Sequence, residues 1–228
     1  MNKNKNIYFT SGNIEFLKFI ATCFMTMDHI NKYLFNSLLP FFFEIGRIAM
    51  PIFIFVLAYN LAISKQYTKL INRLLFFAII SSPVFIALGG LYSNFYPLNI
   101  MFTLLVVTIV SYCIERKKII LACIILLIFG GIVEYWWPAV VLGVSIFCFF
   151  RFKNYTFLMF SIISLLALYF INNNLYALMV VPILCILLIV NVPFVRLRYF
   201  FYIYYPAHLL VIFIIKTKMM NAGYLFFY

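Results

Sequence analysis

The chain has 228 residues, of which 67% are hydrophobic and only 10% charged, and its mean hydropathy is +1.12. This composition excludes a soluble globular domain, and the long apolar blocks without alternation exclude an outer-membrane barrel. It predicts one all-α domain over residues 1–228, a polytopic transmembrane helix bundle. The formal net charge of +12 follows from basic residues in alternate loops, so no nucleic-acid partner is expected.

Nine apolar segments follow one another along the chain, and each predicts a membrane-spanning helix. They are Ile14–Phe35, Ile48–Ser64, Leu74–Leu91, Leu98–Ile114, Ile119–Val133, Trp136–Phe150, Tyr155–Ile171, Leu175–Val190 and Tyr199–Ile215. Basic residues precede the first segment and follow the second, fourth, sixth and eighth, whereas none lies in the loop Tyr92–Pro97, the turn near Glu134 or the loop Asn172–Asn174. This alternation predicts a cytoplasmic N-terminus and an external C-terminus, with Lys216 and Lys218 as exceptions on the outer side.

The first segment carries two adjacent ionisable residues, Asp28 and His29, within its apolar run. An Asp at membrane depth costs at least about 2.5 kcal/mol, so such residues usually have a function. Polar residues follow one another in this segment at steps of three or four positions: Glu15, Lys18, Thr22, Thr26 and His29. These form one polar stripe on a helix, which in lipid must face inward. We therefore expect His29 to face a cavity, and Asp28 to pair with Lys32 or with a neighbouring helix.

Further polar residues lie in or beside later segments. His208 follows Tyr204 and Tyr205 by one turn in the ninth segment, Arg47 opens the second, and Asn99 starts the fourth. The predicted topology puts the first, second and ninth segments' ionisable groups toward the outer half of the bilayer, where we expect them to converge. A packing role for His208 and a headgroup-anchoring role for Arg47 remain open alternatives, and Glu134 is expected to be interfacial.

The cysteines predict neither disulfides nor a metal site. All lie within or at the edges of apolar segments, and no two form a CxxC pair. They are Cys23, Cys113, Cys123, Cys148 and Cys185. We expect them to be small apolar packing residues.

Three stretches of the sequence together resemble the TraX family. They are Leu17-Lys-Phe-Ile-Ala with Met27-Asp-His-Ile30, Gly46-Arg-Ile-Ala-Met-Pro-Ile-Phe53, and Phe201-Tyr-Ile-Tyr-Tyr-Pro-Ala-His-Leu209. Members are conjugation-associated integral membrane proteins, and the named member is the N-acetylase of F-type pilin. The resemblance implies a compact transmembrane acyltransferase of the bacterial inner membrane that uses acetyl-CoA. It implies that His29 is catalytic, with Asp28 its neighbour and Arg47 and His208 in motif positions.

The chain also departs from the family pattern. An acidic residue is common shortly after the second motif, where this chain has Tyr59 and Asn60, and another before the proline of the third segment, where it reads Ser81-Ser82-Pro83. We assign Tyr59 and Asn60, with Tyr205 and Asn99, to the substrate cavity.

Acetyl-CoA is multiply anionic and cytoplasmic, so its phosphates need basic residues in the inner loops. The candidates are Lys65, Lys69, Arg73, Arg116, Lys117, Arg151, Arg196 and Arg198. The acceptor is expected from the outer side, a pilin-like peptide amine being favoured over a glycan hydroxyl. Two alternatives stay open: a proton-coupled transporter or channel using Asp28, His29 and His208, and a non-catalytic pilus or conjugation assembly factor. Beyond membrane lipid and the acceptor, the sequence predicts no partner or oligomeric state.

Overall fold

The structure, a computed structural model, describes residues 8–91, 96–197 and 199–224, and within these ranges the regular elements are all helices. The helices are α1 (Ser11–Leu34), α2 (Pro40–Ser64), α3 (Tyr67–Ala87), α4 (Ile100–Glu115), α5 (Ile119–Gly130), α6 (Trp136–Phe152), α7 (Thr156–Ala167), α8 (Tyr169–Asn172), a 3₁₀ turn (Tyr176–Met179), α9 (Val180–Ile189) and α10 (Phe200–Asn221). Each predicted segment contains a helix, so the all-α prediction is confirmed for the described residues.

Three helices, α2, α3 and α10, are long and apolar enough to cross a membrane. Helix α1 is equally long but carries Glu15, Lys18, Asp28 and Lys32. The remaining apolar helices are shorter, and the segment after Tyr155 is divided between α7 and α8. The protein is thus a membrane-type helical bundle, and the count of nine spans and the side of each terminus stay predictions.

Two helices begin well before the predicted segments, which is a correction to the sequence-based boundaries. Helix α2 begins at Pro40, about two turns before Ile48, because proline suits the first helical turn, where no backbone donor is needed. Helix α3 begins at Tyr67, about two turns before Leu74. The predicted segments cover the later part of each helix and miss the first turns, which contain Glu44 and Arg47 in α2 and Lys69 and Arg73 in α3. Arg47 therefore lies inside α2 instead of opening it.

Helix α2 occupies the centre of the bundle. It packs against α1, α4, α6 and the 3₁₀ turn, with Ile52, Ile54 and Ala58 fully buried. Helix α10 packs against α1 and α3, so the last long helix returns to the first. The outer surface is apolar. Ile120 on α5 and Ile189 on α9, for example, are almost fully exposed. Such a surface is what lipid contact requires.

One end of the bundle carries the basic loops that follow α2, α4 and α6 and that precede α10, and we call it the basic end. There Glu115 accepts two hydrogen bonds from Arg151, from Nε at 2.7 Å and from Nη2 at 2.5 Å. Lys65 Nζ lies 3.8 Å from the same carboxylate. These contacts connect the ends of α2, α4 and α6.

Replacing Glu115 with glutamine is expected to lower the free energy of unfolding at pH 7 by up to about 1 kcal/mol, because the pair is partly exposed. Hydrogen bonding from Arg151 lowers the pKa of the Glu115 carboxyl. The stabilisation is therefore fully present above the unfolded pKa, about 4.3, and is lost as the pH falls through the lower folded pKa. Thermal unfolding in detergent measures it: a difference between variant and wild type as large at pH 2.5 as at pH 7 would contradict the assignment.

Candidate active site

The two histidines of the chain contact each other across helices α1 and α10. His29 Nδ1 lies 2.7 Å from His208 Nε2, and the two ring planes are within 4° of parallel. His208 is buried, and His29 is half-buried. The structure therefore brings together two of the four predicted catalytic residues, which lie 179 positions apart in the sequence.

The hydrogen-bond network assigns the protons of both rings. His208 Nδ1 lies 2.9 Å from the carbonyl oxygen of Tyr204. A carbonyl only accepts, so His208 Nδ1 donates, and in the neutral ring Nε2 is then an acceptor. His29 must therefore donate to it from Nδ1. Nε2 of His29 is left unprotonated, and it is the nitrogen that can take a proton from a substrate.

The polar stripe of α1 faces inward, as predicted. Thr26 Oγ1 donates to the carbonyl of Thr22 at 2.7 Å and lies 2.8 Å from the hydroxyl of Tyr204. The ring of Tyr204 stacks on His208 with centroids 5.1 Å apart. Near the start of α1, Lys18 Nζ lies 2.6 Å from Glu15 Oε1, and the Glu15 side chain is buried. The stripe thus fixes α1 against α10 beside the two histidines.

The other two predicted catalytic residues form an ion pair between α1 and α2. Asp28 Oδ1 lies 2.5 Å from Arg47 Nη2, and their side chains are only 11% and 13% exposed. A Cβ on Gly46 would overlap the Asp28 side chain, so this close approach requires glycine. Of the two partners considered for Asp28, the structure selects the neighbouring helix, not Lys32. The residue that orients His29 is His208, not Asp28.

Two cavities lie toward opposite ends of the bundle. The first, of about 640 Å³, is here called the histidine cavity, and its polar lining residues include Asp28, His29, Lys32, Arg47 and Glu134. The second, of about 490 Å³, is here called the basic-end cavity, and its polar lining residues include Glu15, Lys18, Thr22, Lys69, Arg73 and Arg196.

Three side chains separate the cavities, because Met25, Phe53 and Ile100 line both of them. We call these three residues the septum. On its basic-end side Tyr205 lines the cavity and packs against His208, with ring centroids 5.5 Å apart. On its other side stands His29. The histidine pair therefore lies where the two cavities approach each other.

The predicted cofactor residues divide into two groups. Lys69, Arg73 and Arg196 line the basic-end cavity. The guanidinium carbon of Arg73 lies 5.0 Å and 5.1 Å from the ring centres of Tyr199 and Tyr202, which hold it in place.

The second group of predicted cofactor residues lies outside the lining of this cavity. Lys65 and Arg151 contact Glu115, the guanidinium of Arg116 covers the ring of Tyr112 at 5.3 Å, and Lys117 is exposed. Lys65 and Arg151 therefore neutralise the carboxylate of Glu115, and Arg116 and Lys117 lie in an exposed turn. Arg198 lies outside the described residues.

The predicted substrate residues are also redistributed. Tyr205, Tyr59 and Asn60 line the basic-end cavity, and the Tyr59 hydroxyl accepts a hydrogen bond from the backbone of Phe9 at 3.1 Å. Asn99 lines neither cavity, which corrects its predicted position. Its amide donates to Ser82 Oγ at 3.1 Å and its Oδ1 accepts from the N–H of Met101. Asn99 therefore caps α4 and connects it to α3.

Glu134, expected to be interfacial, lies in the lining of the histidine cavity. Its N–H donates to the carbonyl of Leu98 at 2.9 Å, and its carbonyl accepts from Thr103 Oγ1 at 2.9 Å. The following Tyr135 and Trp136 both have positive φ, at 62° and 48°. A signal existed in the sequence, since Glu134 is the only charged residue in 119–150.

Among the described residues, no group of His, Cys, Asp and Glu side chains has the arrangement of a metal site. The family model described as TraX protein matches residues 13–216, a range that contains both histidines, Asp28, Arg47 and Glu134. Corresponding searches of curated proteins and of solved structures find no match.

Proposed function

The chain belongs to the TraX family, and we propose from this premise that it is a multi-pass inner-membrane acyltransferase. It would move an acetyl group from cytoplasmic acetyl-CoA to an acceptor on the outer side, with an amine favoured over a hydroxyl. The observation that carries the proposal is the histidine pair between two cavities that only the septum separates. A transferase that takes its two substrates from opposite sides of a membrane needs such an arrangement.

The basic-end cavity suits acetyl-CoA in charge and in shape. Glu15 is neutralised by Lys18, so Lys69, Arg73 and Arg196 remain to bind phosphate groups. Deeper in, the lining becomes apolar and includes Leu57, Leu74 and Leu104. Its volume of about 490 Å³ is in the range of small-molecule sites. The phosphates would lie at the basic end, and the thioester would reach the septum beside Tyr205.

His29 is assigned as the general base. As the acceptor nitrogen or oxygen attacks the acetyl carbonyl carbon, Nε2 of His29 takes its proton and the carbon–sulfur bond breaks. The proton then passes to the sulfur, which leaves as the thiol of CoA. His208 positions the His29 ring and, through their hydrogen bond, stabilises the positive charge that develops on His29. Tyr205, on the donor side, is assigned to stabilise the developing oxyanion.

The donor site is tested with purified protein in detergent by neutralising two of its cations. The double variant Lys69→Gln/Arg196→Gln is expected to bind acetyl-CoA about tenfold more weakly, because each lysine or arginine pairs with phosphate. Binding is read from the shift of the unfolding temperature with acetyl-CoA concentration, and turnover from labelled acetyl-CoA.

The matched control is Arg116→Gln/Lys117→Gln, which removes the same charge from the same end but outside the cavity lining. It should bind acetyl-CoA as the wild type does. Equal weakening in both variants would mean that only the overall charge of the basic end matters. No stabilisation of the wild type by acetyl-CoA would favour a non-catalytic assembly factor.

A proton-coupled transporter is the second candidate, because the hydrogen-bonded pair of histidines resembles a short proton relay. The chain of bonds ends, however, at the backbone carbonyl of Tyr204, which accepts a hydrogen bond and has no proton to pass on. This favours a positioning role for His208. Proton flux into liposomes in the absence of acetyl-CoA would support the transporter.

A further inference from the structure

The ionisable groups of the histidine cavity leave one carboxylate without an ion pair. Asp28 is neutralised by Arg47 at 2.5 Å. Lys32 is exposed, and its Nζ lies 5.1 Å from the ring centre of Tyr33. Among the described residues, no lysine or arginine nitrogen lies within 4.0 Å of the Glu134 carboxylate. Lys32 and Arg47 act on the Glu134 carboxylate only from beyond that distance. A cationic ligand would supply the direct ion pair that this half-buried carboxylate lacks.

Aromatic rings surround the same space. Tyr96, Tyr135 and Trp136 line the histidine cavity with Glu134, and Phe170 lies in the same lining. Aromatic faces attract a positive charge, and a carboxylate among aromatic rings is a usual site for an ammonium group. An anionic ligand would instead meet the carboxylate and the negative faces of the rings.

The turn that carries Glu134 is held by its backbone. The N–H and carbonyl of Glu134 are bonded to Leu98 and Thr103, and Leu98 N–H also donates to the carbonyl of Ile132 at 2.8 Å. A Cβ on Gly130 or Gly131 would overlap the Trp137 ring, so the helix end packs closely on that ring. The positive φ of Tyr135 and Trp136 is kept by these contacts. The Glu134 carboxylate accepts one hydrogen bond, from the N–H of Ile100, and its remaining lone pairs are available to a ligand.

We propose that Glu134 is the anionic residue of a cation subsite in the histidine cavity, and that this subsite binds the primary ammonium group of the acceptor. The part that names the acceptor rests on the proposed function. A ligand held there lies in the cavity that His29 lines, with its nitrogen next to the base. One proton leaves the ammonium to solvent, and the second goes to Nε2 of His29 as the carbon–nitrogen bond forms.

The test uses the full-length protein in detergent and two tripeptide-sized probes that have no charged side chain and no carboxylate. One is alanyl-alanyl-alanine amide, whose only charge is its ammonium group, and the other is the same molecule with a hydroxyl in place of that amine. The wild type should bind the amine probe more tightly. Glu134→Gln should weaken binding of the amine probe by about 10- to 100-fold, the usual effect of losing a hydrogen bond to a charged group, and leave the hydroxyl probe unchanged.

The matched control is Glu44→Gln, the same change at an acid of α2 that does not line the cavity, and it should bind both probes as the wild type does. Glu134→Asp, which keeps the charge, should retain part of the preference and separates loss of charge from a disturbed turn. Equal affinity of the wild type for both probes, no binding of either, or unchanged binding in Glu134→Gln overturns the proposal.

Acetyl-CoA binding is measured on the same preparations. Glu134-dependent binding of the amine probe without any binding of acetyl-CoA would remove the proposed acyl transfer and leave the cation subsite standing. Normal acetyl-CoA binding without discrimination between the probes would remove the subsite and leave the acyl transfer standing.

Discussion

Replacing His29 with alanine is expected to lower the rate of acetyl transfer by about 10²- to 10⁴-fold, the contribution that general acid–base catalysis usually makes. Of the two unprotonated ring nitrogens in the histidine pair, His208 Nε2 already accepts the hydrogen bond from His29, so Nε2 of His29 is the one that can take a proton from the acceptor. It is also the member of the pair that lines the histidine cavity, where the acceptor is proposed to bind. The rate is measured with labelled acetyl-CoA and an amine acceptor, in protein whose unfolding temperature is compared with that of the wild type.

His29→Asn is the informative control. The asparagine amide can donate to His208 Nε2, so it preserves a contact between α1 and α10, but it cannot accept a proton near neutral pH. We expect it to be nearly as inactive as His29→Ala and more stable. Wild-type turnover in a folded His29→Ala protein would remove this residue from the mechanism. Recovery of activity in His29→Asn would assign His29 to packing.

Replacing Arg47 with alanine is expected to lower the free energy of unfolding by about 3–5 kcal/mol, because it leaves a buried carboxylate unpaired. Asp28 and Arg47 are both nearly inaccessible, and Gly46 allows the two helices to approach closely enough for the pair. Arg47 also contacts the Phe43 ring, with its guanidinium carbon 4.4 Å from the ring centre. Thermal or denaturant unfolding in detergent measures the loss.

Two comparisons isolate the charge pair. Lys32→Ala removes an exposed cation near the end of α1 and should change stability by no more than about 0.5 kcal/mol. Adding Asp28→Asn to Arg47→Ala removes the unpaired charge and should recover part of the loss. If Arg47→Ala costs no more than Lys32→Ala, the pair is not a stabilising element. If the second substitution makes the protein still less stable, the unpaired carboxylate is not the cause.

The sequence can predict the inward stripe and the helical class because both depend on local pattern. Apolar length identifies helices in a chain of this composition, and the three- and four-residue spacing from Glu15 to His29 defines one face. The pairing of His29 with His208 depends on how α1 and α10 are aligned along their axes. Local pattern carries no information on that alignment, so topology could suggest the encounter but not the atoms that meet.

Sequence alone is least able to predict the position of a single polar residue. Lysine and arginine serve both to set membrane topology and to bind anionic ligands, so the residue type does not tell the two roles apart. Lys69 and Lys65 look alike in sequence, although Lys69 lines the basic-end cavity and Lys65 pairs with Glu115. Asn99 resembles a cavity residue until its amide is seen to cap α4. Glu134 resembles an interfacial residue because the turn that directs it is held by the backbone of Leu98 and the hydroxyl of Thr103, which are distant in sequence.

The thinness of the septum has an electrical consequence. Moving one elementary charge through a membrane potential of 100 mV takes about 2.3 kcal/mol. Under the proposed function the phosphates of CoA stay at the basic end, while an acetyl group crosses Met25, Phe53 and Ile100 outward and a proton returns inward to the thiol. This exchange is electroneutral. The reaction would then proceed at the same rate in an energised cell and in a depolarised vesicle, and three apolar side chains would suffice as insulation.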